Sequence, residues 1–295
     1  MVFACAHAPP PLLHSTPLIV LGSSGGFRPL VRARVAGEPI MLLVDTGAFR
    51  STLPLDFVRA RNLVEQLRGT EYYLVDANGH GTQMQLLSGV SVQFDGEATA
   101  GKLDFLVNPS EAGGQPILAP QDLVRFGWSL TIDLAAEELR YEPEQVALKR
   151  LQESPTVPLR RVDFVSCSNE EASERAHRVV NAKINGIATL MLVDTGASRT
   201  MLARNNPALP SMVEVQGSQQ RLRSVTSTGQ SLLVEHVKLA FSQESFVLDV
   251  VVSPVPQACA QGALGADLLR RCTIVWGWNS LWAACHTPAE TPAGR

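Results

Sequence analysis

Apolar positions in this chain fall in short runs rich in Val and Leu, and several of the runs alternate with polar residues. Val31, Ala33 and Val35 are separated by Arg32 and Arg34; Val180, Ala182 and Ile184 are separated by Asn181 and Lys183. A period of two sends successive side chains to opposite faces, so both segments predict strands with one apolar face. Gly37 and Gly186 then mark turns, and unbroken apolar runs at 40–44 and 190–193 predict strands buried on both faces. Polar, glycine-bearing tips are expected at 75–81 and 225–230, with strands after them at 89–94 and 232–241. Short helical runs at 122–126 and 267–271 come next. Two closing hairpins then pair 129–133 with 138–141, and 273–276 with 281–285.

These two series of elements repeat one another. Residues 31–53 align with 180–202 without a gap at a constant offset of 149, and 11 of the 23 positions are identical. Such agreement predicts an internal duplication. The expected organisation is a tether over 1–24, a first unit over 25–146, a linker over 147–175, a second unit over 176–287 and a tail over 288–295.

Composition narrows the function. The chain has 295 residues, of which 45% are hydrophobic and 18% charged, with a net charge of −3. That balance gives no basis for a nucleic-acid partner. No apolar run approaches the ~18 residues of a membrane-spanning helix. Six histidines and five cysteines are scattered without metal-ligand spacing, so no metal is expected. Gly22-Ser23-Ser24-Gly25-Gly26 is glycine-rich but lacks the Gly-Lys-Ser/Thr sequence of a phosphate loop and reads as a flexible lead-in. No G-x-S-x-G elbow is present.

Each buried apolar strand ends in the same four residues. They are Asp45-Thr46-Gly47-Ala48 in the first unit and Asp194-Thr195-Gly196-Ala197 in the second. Two carboxyl groups about 3 Å apart cannot both ionise, so such a pair shares one proton. The ionised partner can take a proton from water while the protonated partner donates to a substrate carbonyl. Glycine would let backbone approach the carboxylates, and threonine could hydrogen-bond to the opposite loop. Solvated turn aspartates are the plainer reading, and a strand-borne pair in duplicate argues against it.

Leu43-Val44-Asp45-Thr46-Gly47-Ala48 and its second copy resemble the active-site loops of retropepsin-like aspartic proteases. Ala263-Leu264-Gly265-Ala266-Asp267-Leu268-Leu269 resembles the second signature of that family. The resemblance implies a mainly β fold of two tandem acid-protease lobes, related by pseudo-twofold symmetry around an active-site cleft. It implies Asp45 and Asp194 as the catalytic pair, supported by Thr46, Gly47, Ala48, Thr195, Gly196 and Ala197. It places Asn78, Gly79, Thr228 and Gly229 at flaps over the substrate. No cofactor is implied. The partner would be a peptide or protein substrate, met by a monomer. A non-catalytic peptide-binding envelope lipoprotein that keeps the fold is the alternative.

Several positions depart from the family. Ala48 and Ala197 stand where pepsins carry a hydroxyl, which should leave the dyad with higher pKa values and a less acidic working range. Ala119 replaces the glycine that Gly265 provides in the second unit. Trp276-Gly277-Trp278 stands where the first unit keeps Ile132-Asp133. No tyrosine sits clearly at a flap tip; Tyr72 and Tyr73 come earlier. Arg50 and Arg199, matched across the repeat, read either as substrate clamps or as braces within each unit.

Val2-Phe3-Ala4-Cys5 resembles a bacterial lipobox followed by a Pro-rich tether. That implies an exported bacterial protein, periplasmic or membrane-anchored through a lipidated Cys5, with further signal sequence upstream. Counting outward from a turn at Trp278-Asn279 sets Cys272 opposite Cys285 across the last hairpin. They read either as a disulfide or as two buried thiols.

Overall fold

The structure is a computed structural model that describes residues 15–23, 26–75, 81–96, 101–109, 114–153, 157–166, 177–212, 218–223, 228–253 and 259–286. It is mainly β. The first half carries β1 (Thr16–Ser23), β2 (Gly26–Val35), β3 (Glu38–Val44), β4 (Thr52–Pro54), β5 (Leu67–Val75), β6 (Gly81–Phe94), β7 (Gly101–Asn108), β8 (Ile117–Leu118), β9 (Trp128–Asp133) and β10 (Glu138–Pro143). Helices α1 (Leu55–Ala60) and α2 (Pro120–Leu123) interrupt it, and α3 (Glu144–Gln152) follows. The second half carries β11 (Arg160–Arg161), β12 (Phe164–Ser166), β13 (Arg178–Ile184), β14 (Ile187–Val193), β15 (Met201–Ala203), β16 (Ser218–Arg223), β17 (Thr228–Phe241), β18 (Glu244–Ser253) and β19 (Gly262–Leu264). Helix α4 (Ala266–Leu269), β20 (Cys272–Gly277) and β21 (Leu281–Cys285) complete it.

The alternating segments are strands with the expected faces. Val31, Ala33 and Val35 are buried in β2, as are Val180, Ala182 and Ile184 in β13. Each strand turns back through two residues of positive φ, Ala36 (50°) with Gly37 (83°) and Asn185 (48°) with Gly186 (85°). Paired positive φ values match the right-handed twist of the flanking strands, which explains the glycine at both turns. The following strands are less buried than their composition suggests. In β3 only Leu42, Leu43 and Val44 are fully covered, and in β14 only Met191, Leu192 and Val193 among the apolar run. Burial is concentrated where each strand nears its aspartate.

Both halves use the same strand order. In the first it runs β1-β2-β3-β8-β4-β7-β6-β5, with β2 also pairing β6; in the second it runs β12-β13-β14-β19-β15-β18-β17-β16, with β13 also pairing β17. The β3–β8 and β14–β19 pairs are parallel, so the second signature runs alongside the strand that delivers the acid.

Several segments differ from the sequence expectation; of the helical run expected at 122–126, only Asp122 and Leu123 are helical, at the end of α2. Residues 16–23, placed in the tether, form β1, which pairs with β2 and begins the pairing with β10. Gly22 and Ser23, read as flexible lead-in, belong to that strand. Residues from the expected linker form the rest of α3 together with β11 and β12. Helix α3 buries Ala147 and Leu148 against Val275, and Glu144 at its start accepts from the Ser280 hydroxyl and from Trp282 Nε1 (3.3 Å). Finally, the two closing hairpins are not separate. Strand β9 pairs antiparallel with β20 from Asp133↔Thr273 to Ser129↔Gly277, giving one sheet in the order β11-β21-β20-β9-β10-β1. The Thr273 hydroxyl donates to Asp133 Oδ2 across the join (2.7 Å). A single apolar cluster includes Leu130 and Ile132 of β9 with Ile274 and Trp276 of β20.

Cys272 and Cys285 sit opposite one another in the β20–β21 register and form a disulfide. Arg178, buried at the start of β13, fastens the turn of that hairpin. Its Nη1 donates to Ser280 O (2.6 Å), its Nη2 to Trp278 O (3.1 Å) and to Gly277 O, and its Cζ lies 4.0 Å from the centre of the Trp276 ring. The departure Trp276-Gly277-Trp278 is thus the seat of an arginine clamp. Burial lowers the Arg178 pKa to about 9, with Glu144 favouring its charge.

Candidate active site

Strand β3 ends at Val44 and β14 at Val193, and the two Asp-Thr-Gly-Ala loops meet there. Both threonines are fully buried. The Thr46 hydroxyl donates to Val193 O (2.8 Å) and accepts from Thr195 N (2.9 Å). The Thr195 hydroxyl donates to Val44 O (2.6 Å) and accepts from Thr46 N (3.1 Å). Each hydroxyl thereby donates once and accepts once, and four backbone groups of the opposing strand ends are satisfied. A buried hydroxyl without partners would cost about 1–3 kcal/mol, so this interlock is stable only as a complete set.

The interlock brings the two carboxyl groups into hydrogen-bond contact with each other. Asp45 is buried and Asp194 partly exposed. Asp45 Oδ1 accepts from Gly47 N (2.9 Å), and Asp194 Oδ1 accepts from Ala197 N (2.9 Å). The glycines are there for space. A Cβ on Gly47 would collide with the Asp194 carboxylate, and one on Gly196 with the Asp45 carboxylate. Ala48 and Ala197 follow, with no hydroxyl to add a further donor.

Burial raises the pKa of Asp45 well above the ordinary value, and the Asp194 charge and hydrogen bond raise it further, against the backbone donors of Gly47 and Ala48. Burial also raises Asp194, while donors from Ala197, Asp45 and Gly196 pull it down. The pair is therefore built to hold one proton into a range where a lone aspartate has lost it.

One titratable neighbour was not singled out in the sequence. His177 lies just before β13, with its ring 6.3 Å from Phe49 in an edge-on arrangement. Burial lowers its pKa, whereas the Asp194 charge and a hydrogen bond with the Gly47 backbone favour its charged form. Extending the repeat offset upstream of the aligned block pairs His177 with Arg28, which is exposed. That pairing was the available signal, and it is weak because the two residues differ.

Behind each loop a second set of residues holds it. In the first half Ser51 Oγ accepts from Ala119 N (3.0 Å) and Asp122 Oδ2 accepts from Ser51 N (2.7 Å). In the second, Thr200 Oγ1 accepts from Gly265 N (3.2 Å), and Asp267 Oδ1 accepts from Thr200 N and Oγ1 (both 2.8 Å).

The remaining expectations divide. Thr228 and Gly229, expected at a turn, are the first residues of β17 and pair with Arg223 and Leu222. Asn78 and Gly79 lie outside the described residues, as does Cys5. Arg50 lies 5.6 Å from the Tyr72 ring, and Tyr73 is largely exposed. Among the described residues no group of three His, Cys, Asp or Glu could hold a metal ion.

Residues 174–275 match the family model of the retroviral aspartyl proteases. The matched span contains Asp194 and the second signature, and it supports aspartic-protease chemistry in general. No curated protein matches the chain.

Proposed function

We propose that the chain is an aspartic endopeptidase in which two duplicated retropepsin-like lobes each supply one acid to a shared site. The observation that carries the reading is the contact between the Asp45 and Asp194 carboxyls beneath the reciprocal Thr46–Thr195 interlock. The common strand order of the two halves, added to the sequence repeat, supports duplication. The family match supports the reading for the second half.

In this mechanism water sits between the carboxyls. The ionised member removes its proton as the oxygen attacks the amide carbon, and the protonated member donates to the carbonyl oxygen. The tetrahedral intermediate collapses when a proton passes to the leaving nitrogen. Both carboxyl pKa values are raised, chiefly by burial, and the proton of the free site belongs to the pair rather than to either acid.

Asp45→Asn and Asp194→Asn should each abolish cleavage of a peptide library, by at least about 10³-fold in kcat/KM. Substantial activity in either variant would sink the shared-dyad mechanism. The same variants carry a stability signature. A carboxyl whose folded pKa is raised binds more protons folded than unfolded between its two pKa values. Its contribution is greatest below the unfolded value and is lost as pH rises through the folded one. Asp45→Asn should therefore raise Tm at pH 7, and the gain should shrink as pH falls toward about 4. Thermal unfolding at both pH values measures it.

We further propose export, with anchoring through Cys5. The Cys272–Cys285 disulfide is the supporting observation, because such bonds persist in oxidising compartments. Fatty-acid labelling of the full-length precursor should mark wild type and not Cys5→Ser; labelling of neither would refute anchoring.

A further inference from the structure

A cavity of about 360 Å³ opens beside the loop that carries Asp194, and neither dyad aspartate lines it. Its polar walls include Arg199, His236, Arg270 and Arg271, set against Asp249 and Asp267. The two carboxylates are already engaged. Asp267 Oδ1 accepts from Thr200 N, Thr200 Oγ1 and Leu268 N, each at 2.8 Å, and Asp249 Oδ1 accepts from His236 N at 3.1 Å. Three guanidinium groups and an imidazole thus face two anions whose hydrogen bonds are spent largely on backbone.

The arginines are also held in place. Arg270 lies 4.0 Å over the Phe27 ring, and Arg271 lies 5.8 Å from the Phe246 ring. A guanidinium close over a ring, as Arg270 is, presents its face to the ring and leaves its in-plane N–H fork for an acceptor. Neither makes a salt bridge to a carboxylate among the described residues. Their charges oppose one another: burial lowers the Arg271 pKa, the Arg270 charge lowers it further, and Asp267 only partly offsets this. An anion between them would relieve the repulsion and meet preformed forks.

We propose that this cavity is an oxyanion-binding site, in which Arg270 and Arg271, with Arg199 beside them, hold a carboxylate or phosphate group. The site is wired to the catalytic loop through backbone. Phe27 N donates to Ser198 O (3.1 Å), and a Cβ on Gly26 would strike that same carbonyl, so the start of β2 rests directly on the segment between Asp194 and Arg199. An occupant braces that segment. Binding itself requires no catalysis, so the proposal stands apart from the protease reading.

Titration of the full chain with inorganic phosphate, at constant ionic strength and with chloride as control, tests it by calorimetry and thermal shift. A peptide bearing Glu and its Gln counterpart form a second arm. Saturable phosphate binding is expected, weakened at least about tenfold in Arg270→Gln/Arg271→Gln, which corresponds to about 1.4 kcal/mol. Val247→Glu guards against misfolding of that variant. Val247 lines the cavity and is 54% exposed, so the change adds a repelling carboxylate at the rim with little cost to the core. It should weaken binding several-fold. Preference for the Glu peptide over both phosphate and the Gln peptide would identify a peptide carboxylate as the natural occupant; binding of phosphate alone would identify a free ion. Absence of saturable binding in wild type, or unchanged affinity in both variants, overturns the proposal.

Discussion

The supports behind the two aspartate loops do the same job with different chemistry. In the second half Gly265-Ala266-Asp267 runs without insertion, and Ala266 N donates to Ala197 O (2.7 Å). In the first half the matching stretch is Ala119-Pro120-Gln121-Asp122, one residue longer. Proline stands where Ala266 does, and proline has no N–H to give. The extra residue makes good the loss: Gln121 Nε2 donates to Ala48 O, the carbonyl equivalent to Ala197 O. A side chain has replaced a backbone donor. The replacement is imperfect, because Gln121 Oε1 is buried without a partner among the described residues.

The same comparison explains why one half has alanine where the other needs glycine. Gly265 has ψ 176° and Ala119 has ψ 120°, at almost equal φ. At Gly265 a Cβ would collide with the backbone of Arg199 and Thr200. The turned peptide at Ala119, which leads into Pro120, accommodates a fully buried methyl group. Alanine in the first half is thus a settled alternative rather than a defect in the site.

The strongest way to break this comparison is Gly265→Ala. Its Cβ meets backbone that cannot rotate aside, so we expect a loss of about 3 kcal/mol or more and activity reduced by at least about tenfold. Chemical denaturation and peptide cleavage measure the two effects. If the variant were near wild type, the requirement for glycine would be refuted. Next in size, Gln121→Leu leaves Ala48 O without its donor while keeping the volume. A loss of about 1–3 kcal/mol is expected, with weakened catalysis because Ala48 adjoins the Asp45 loop. Restoring a backbone donor by deleting Gln121 together with Pro120→Ala should recover part of it. The smallest effect belongs to Ala119→Gly, about 0.5–1 kcal/mol, mainly from greater freedom of the unfolded chain. A larger loss there would mean that the methyl group carries packing of its own.

The sequence discloses the loops and their strands because local periodicity and a repeat mark them. It discloses that Cys272 and Cys285 face one another, though not that they are bonded, because register can be counted outward from a tight turn. Pairings between distant segments leave no such mark. Strand β1 reads as tether because its partners, β2 and β10, are identified only by folding. The pairing of β9 with β20 likewise depends on how the halves come together. Gln121 was legible only in part: an added residue after Ala119 can be counted, but its donor role appears once Pro120 is seen opposite Ala48 O. The cavity around Arg270 and Arg271 draws on five separate segments, and no spacing along the chain could announce it.

The β9–β20 pairing changes what dilution and mutation can do to the dyad. Both acids belong to one folded chain whose halves share a sheet, so their encounter is intramolecular and the assembled fraction does not fall as protein is diluted. Cleavage per molecule should therefore be constant across concentrations at which a dimeric site would dissociate. In a symmetric dimer each substitution is also made twice, once on either side of the axis. Here Arg50 can settle near Tyr72 while Arg199 borders an anion cavity, because each half is free to change alone.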